Sequence, residues 1–244
     1  MRTLVALAFV GVPATAAAEL RAFTATYEYA TQPEGTTSVQ LWHTGRRVTW
    51  DDRYVEELER RIELKHGITE HWDVTTSTVL TQSGRTGLQL DRVVLGPRFR
   101  FADRAEWPVD VMLGLEAGKV TDRSIYPFEL RVILARDVDR LTLAVNGVGL
   151  MRVGKDLTDD VEFDLGWSAG ASYQLHDKLR VGAETWGYTA DDGPRPATHD
   201  ARIAVGPVLH VAPSPKLWAT ATAGFGLTAA ADVFTVRVLL GIEL

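Results

Sequence analysis

The sequence predicts an all-β fold, a transmembrane antiparallel up-and-down β-barrel of about twelve strands. Three observations predict it. Apolar and polar residues alternate with period two through much of the chain, which fits a strand with two unlike faces and does not fit a helix. The alternating runs reach about ten residues, longer than strands in soluble sheets and close to what a tilted strand needs to cross a bilayer. Finally, the 244 residues contain no cysteine, so an exported chain of this kind needs a large core, a closed barrel or a membrane to hold it.

Residues 1–18 read as a cleavable signal peptide. Arg2 supplies the charge, Leu4 to Val10 the apolar stretch, and Ala16-Ala17-Ala18 an A-x-A site before Glu19. Its removal leaves 25 Lys+Arg against 32 Asp+Glu and takes the formal net charge from −6 to −7. With no basic surplus to meet phosphates, a nucleic-acid partner is excluded. Residues 19–244 then form one barrel domain. Within it residues 19–35, which hold the run Ala22–Tyr29, are expected as a non-spanning segment on the periplasmic side or in the lumen, because counting it as a strand gives an odd total.

Spanning segments follow at Val39–Trp50 and Val55–Lys65. The second also places Glu56/Arg60, Glu57/Arg61 and Leu58/Ile62 at helical i,i+4 spacing, which keeps a helix open there. Further runs are Val109 to Leu115, Phe128 to Leu134, Leu141 to Val145, Ile203 to Val211 and Leu217 to Phe225. The clearest is Val161–Leu175, whose odd positions (Phe163, Leu165, Trp167 among them) are apolar and whose even positions are polar or small. Phe234 to Leu244 repeats it at the end of the chain. No transmembrane helix competes: the longest uncharged stretch, Leu217–Ala231, is too short and is broken by Gly224 and Gly226.

Short connections at His66–His71, Arg136–Arg140, His176–Lys178 and Ala212–Lys216 alternate with long polar ones at Lys119–Tyr126, Gly154–Asp160 and Ala190–His199. This is the asymmetry of outer-membrane barrels, with short turns on the periplasmic side. Trp72, Trp107 and Trp218 each open a strand after an inner connection, suiting an aromatic girdle. Trp186 and Tyr188 fall by parity on the inner side.

Two segments resemble known outer-membrane sequences. His66-Gly67-Ile68-Thr69-Glu70-His71-Trp72-Asp73-Val74 resembles the Tyr-Gly-(Leu/Ile)-Thr-(Asp/Glu) turn of porin-like barrels grouped with phenol-degradation transporter-like proteins, with His66 in place of Tyr. The last strand is similar to the C-terminal signal read by the barrel-assembly machinery, with Leu244 in place of the usual Phe. The resemblance implies an outer-membrane location, with lipid and lipopolysaccharide as surroundings and the assembly machinery as a partner. It implies no substrate.

Strand parity points Glu57, Glu59, Arg61, Glu63, Lys65, Asp110, Glu116, Glu129, Arg131, Glu162, Asp164, Arg180, Glu184, Arg202, Arg237 and Glu243 into the lumen. Charges at that depth must meet water or each other, since Arg or Lys facing lipid at the midplane costs about 2–4 kcal/mol. They either line a narrow passive channel for small solutes, cation-preferring because acids outnumber bases, or pair into a salt-bridged network that leaves a non-conducting structural or partner-binding barrel. A lipid-modifying enzyme is the weaker alternative: six histidines and the lone Asn146 form no nucleophile motif, so no catalytic residue is assigned. The acidic pairs Asp51-Asp52, Asp159-Asp160 and Asp191-Asp192 lack calcium-loop spacing, and no metal or cofactor is expected.

Overall fold

Twelve antiparallel strands close on themselves in the computed structural model, which describes residues 21–47, 56–84, 86–189 and 201–244. The expected signal peptide, the whole connection expected at Ala190–His199, and the pairs Asp51-Asp52 and Asp191-Asp192 lie outside the described residues. In chain order the strands are β1 (Thr37–Arg47), β2 (Glu57–Thr69), β3 (Trp72–Ser83), β4 (Gln89–Arg100), β5 (Asp110–Val120), β6 (Ile125–Val138), β7 (Leu141–Gly154), β8 (Val161–His176), β9 (Leu179–Thr189), β10 (Ala201–Ser214), β11 (Leu217–Gly226) and β12 (Phe234–Glu243). Each pairs with its neighbours in sequence, and β1 pairs with β12 from Ser38↔Glu243 to Arg47↔Phe234. No edge is left to template aggregation.

Alternation decides each strand. Leu41, Leu64, Leu95, Leu115, Leu130, Val145, Leu165 and Phe225, each from a different strand, are 44–58% exposed on the outer face. An apolar surface of that extent belongs against lipid. The helical spacing at Val55–Lys65 gives way to β2. Each i,i+4 pair offers only about 0.2–0.5 kcal/mol, whereas β2 gains ladders to both β1 and β3 and turns Ile62 and Leu64 outward.

At one end β2–β3, β6–β7, β8–β9 and β10–β11 are joined by Glu70-His71, Asp139-Arg140, Asp177-Lys178 and Pro215-Lys216. Asp139 takes φ 53°, a left-handed conformation that Asp tolerates. The fifth connection at this end, residues 101–109, is longer and tucks Ala102 beneath the barrel. At the other end the β5–β6 connection shrinks to residues 121–124, because Lys119 pairs with Val93 and Ile125 with Gly154 and so extend the strands.

Trp72 and Trp107 stand exposed on the outer face at the short-turn end, linked through Phe99 and Phe101 by ring separations of 4.8, 5.0 and 6.2 Å. Trp218 departs from the girdle expected of it. It is 2% exposed and points inward against Gly241, because its place in β11 has the parity of Thr220 and Thr222, not of the outward Leu217.

Candidate functional site: the lumen and the segment inside it

The lumen is occupied by a segment that precedes the first strand. Residues 21–36 run inside the barrel before entering β1, and Arg21, Ala22, Phe23, Thr24, Thr26, Tyr27 and Tyr29 are all buried. With no strand partner along most of its length, the segment's backbone needs other hydrogen-bonding groups, and side chains of the barrel wall supply them. Glu184 of β9 accepts three successive backbone N–H groups, from Thr24 at 3.0 Å, Ala25 at 2.7 Å and Thr26 at 3.1 Å, together with the Thr24 hydroxyl. Such convergent N–H groups form a nest that suits an anion. Asn146 of β7 takes the Tyr27 N–H on Oδ1 at 2.6 Å and donates Nδ2 to the Tyr27 carbonyl at 2.9 Å, imitating a neighbouring strand. Lower down, the Gln32 N–H donates to Asp73 at 2.7 Å, Asp73 also pairs with Arg98, and the Tyr29 hydroxyl donates to the Ala102 carbonyl.

Apolar contacts complete the docking. Phe23, Tyr27 and Tyr29 join the inward-facing Met112, Ile133, Ala135, Ala144 and Val208 in one buried cluster. Gly170 is required here, because a Cβ on it would come within 2.6–2.9 Å of the Phe23 ring. Gly67 is required for a different reason: a Cβ would sit 2.0 Å from the Pro33 carbonyl, where the segment bridges to β2 before it turns into β1.

Above this packed lower half the lumen opens. A cavity of about 560 Å³ is lined by Arg61, Arg92, Arg152, Glu116 and Glu129 among others, and one of about 210 Å³ lies directly on the segment. The charges here are matched in small groups. Arg61 reaches Glu63 at 2.7 Å and Glu116, across the lumen on β5, at 2.9 Å. Arg131 reaches Glu129 at 2.6 Å and Arg152 pairs with Glu162 and Asp164, while Lys65 reaches Glu63 at 3.2 Å lower down, both fully buried. Arg46 and Arg92 both approach Glu59, and Arg46 also meets Glu57 at 3.4 Å.

The remaining residues singled out by parity are dispersed. Asp110 sits at the short-turn end, accepting the Ala105 N–H at 2.9 Å. Arg180 donates to Thr142 and Gln174, Arg202 to the Tyr188 hydroxyl, and Arg237 lies 4.9 Å from the Trp186 ring. Trp186 thus faces inward and rests on Gly224. Glu243 stands at the short-turn rim. Sequence reading missed Asp73, Arg98, Arg100, Arg152 and the segment's own Arg21. The first three lie on strands whose alternation is weak, β4 above all, and Arg152 lies beyond the clear part of the β7 pattern.

Among the solved structures that the chain resembles are outer-membrane barrels. The NanC porin matches with a TM-score of 0.61 at 13% identity, over 84% of this chain and 100% of the other. An outer-membrane channel from Pseudomonas putida F1 matches with a TM-score of 0.65 at 8% identity, over 91% of this chain and all of that one. The KdgM porin, one structure of which holds a disordered oligogalacturonate, matches at 0.58 and 8% identity over 84% and 97%. The chain has the fold of the outer-membrane porins and channels. No family model and no curated protein matches its sequence.

Proposed function

We propose that the chain is an outer-membrane passive channel for small solutes, held closed by its N-terminal segment. The observation that carries this reading is the segment itself. It fills the lower lumen through hydrogen bonds to single side chains, Glu184, Asn146 and Asp73, rather than through a continuous ladder, so it leaves as a unit once those few bonds are broken. The apolar outer face and the likeness to outer-membrane channels support the location. Arg60 is exposed on the outer face towards the long-loop rim, a position that suits contact with lipopolysaccharide phosphates.

Arg46 and Arg152 offset part of the acidic surplus, whereas Arg92, Arg98 and Arg100 are matched by Asp91, Asp73, Glu70 and Asp103, so we infer a mild preference for cations. The barrel is read as non-enzymatic. Its buried histidine–hydroxyl pair, His210 with Thr220 at 2.8 Å, is committed to the segment, since Thr220 donates to the Arg21 carbonyl.

A second reading, a permanently non-conducting barrel, is favoured by the apolar contacts of Phe23 with Met112 and Ile133. Planar-bilayer recording separates the two. Refolded residues 19–244 should be mostly silent, and a chain lacking residues 19–33 should give steady discrete steps with a small cation-selective reversal potential in a salt gradient. Silence from the shortened but folded barrel would favour the non-conducting reading.

A further inference from the structure

The smaller cavity has the makings of a ligand site. Its floor is the segment, through Thr24, Ala25 and Tyr27, and its walls include Trp42, Arg61, Arg131 and Arg237. Three guanidinium groups therefore meet there with Glu59 as the one carboxylate in the lining. Arg61 and Arg131 spend charge on Glu63, Glu116 and Glu129. Arg237 does not: among the described residues it makes no ion pair or hydrogen bond, and its guanidinium lies beside the Trp186 ring. Glu184 and Glu59 act on Arg237 only through space, and Glu184 is already bound by the segment's N–H groups.

A second anomaly lies just behind the cavity. Arg21 is 1% exposed, and none of its three guanidinium nitrogens has a hydrogen-bond partner. It is held between the rings of Tyr27 and Trp42, at 3.9 and 4.3 Å, and both rings face the cavity. Glu63 and Glu28 act on it only through space, and a buried cation with no carboxylate bonded to it gains from an anion brought near. Arg237 and Arg21 thus give this part of the lumen two positive charges that the protein does not itself neutralise by direct contact.

We propose that this cavity binds a small organic carboxylate, gripped by the planar fork of Arg237, with the field of Arg21 behind it and with Arg131 and Arg61, stacked on Tyr27 and Trp42, on its other sides. The inference rests on the closed reading of the segment, which supplies the floor.

Calorimetric titration of benzoate into refolded residues 19–244 in detergent tests it, with benzamide as the neutral isostere and inorganic phosphate as a general anion. Saturable benzoate binding that benzamide does not show, weakened at least tenfold in Arg237→Gln and only partly in Arg237→Lys, is the expected result. The heat-modifiable gel shift of each variant checks that the barrel is intact. Equal binding of benzamide, no saturable binding of benzoate, or an unchanged affinity in Arg237→Gln would overturn the site. Phosphate binding as tight as benzoate would overturn the preference for a carboxylate. Protease cutting of the segment in the unliganded chain would sink the closed reading instead, and so the two failures are told apart.

Discussion

The two halves of the lumen solve the same problem differently. Both must place polar groups in the middle of a membrane protein. The lower half does so by packing: Glu184, Asn146 and Asp73 are buried at 2% or less and each is satisfied by the backbone of residues 21–36. The upper half stays open, and Arg61, Arg131 and Arg152 are matched with carboxylates around space that water can enter. Substitutions below should therefore act on stability and closure, and substitutions above should act on what the cavity accepts.

The sharpest break of this contrast is Asp73→Ala. It strips the acceptor of the Gln32 N–H and leaves Arg98 buried beside a lost partner, which should cost about 3–5 kcal/mol in urea unfolding of the vesicle-inserted protein. A loss under about 1 kcal/mol would mean that the lower lumen is wet like the upper. Next comes Gly170→Val, which places new atoms where the Phe23 ring lies. Eviction of a buried Phe forfeits about 1.5–3 kcal/mol, so limited proteolysis should cut the segment while the barrel keeps its heat-modifiable mobility. Continued protection would show that Phe23 is not an anchor.

A pH effect should follow. Burial pushes Glu28 up to about 7, against the pull of Arg180, Arg104 and Arg21. The docked segment then holds a proton that the released segment gives up above about 4.5, so docking is strongest at low pH and weakens as pH rises between the two values. Channel openings of the intact chain should become more frequent from pH 5 to pH 8, and Glu28→Gln should flatten that trend. An opposite slope would remove Glu28 from the latch. The smallest effect belongs to Arg152→Gln above. Its side chain is 34% exposed and its loss should change stability by under about 1 kcal/mol while altering ion selectivity in bilayer recordings.

How much of this was legible follows from the same division. The wall was readable because a spanning strand between lipid and a polar lumen must alternate, and β8 does so from Val161 to Leu175. Trp218 shows the limit of reading by position: an aromatic just past a turn suits a girdle, yet parity, the stronger constraint, sends it inward. The plug was harder. Ala22–Tyr29 resembles a short strand, and only the even-number rule set it apart. Its partners carry no local signal, because a carboxylate that receives backbone N–H groups from 158–160 residues away looks in sequence like any inward Glu. Part of the plug's cradle is the turn motif at His66–Val74, which in sequence marked only a likeness to outer-membrane turns. Its Gly67 lets Pro33 pass, its Thr69 accepts the N–H groups of His71 and Trp72, and its Asp73 holds Gln32.

The seam has a consequence for how the molecule comes to exist. Leu41 pairs with Leu240, and Thr220 reaches back to Arg21, so the wall and its contents both tie early described residues to strands about 200 positions later. Contacts so distant in sequence form late and slowly. Until β12 arrives the cylinder is an open sheet, and the strap that will fill it has only part of its cradle. Sealing and filling are thus coupled late steps of assembly, and a ribosome that stops short of Phe234 leaves neither a container nor anything contained.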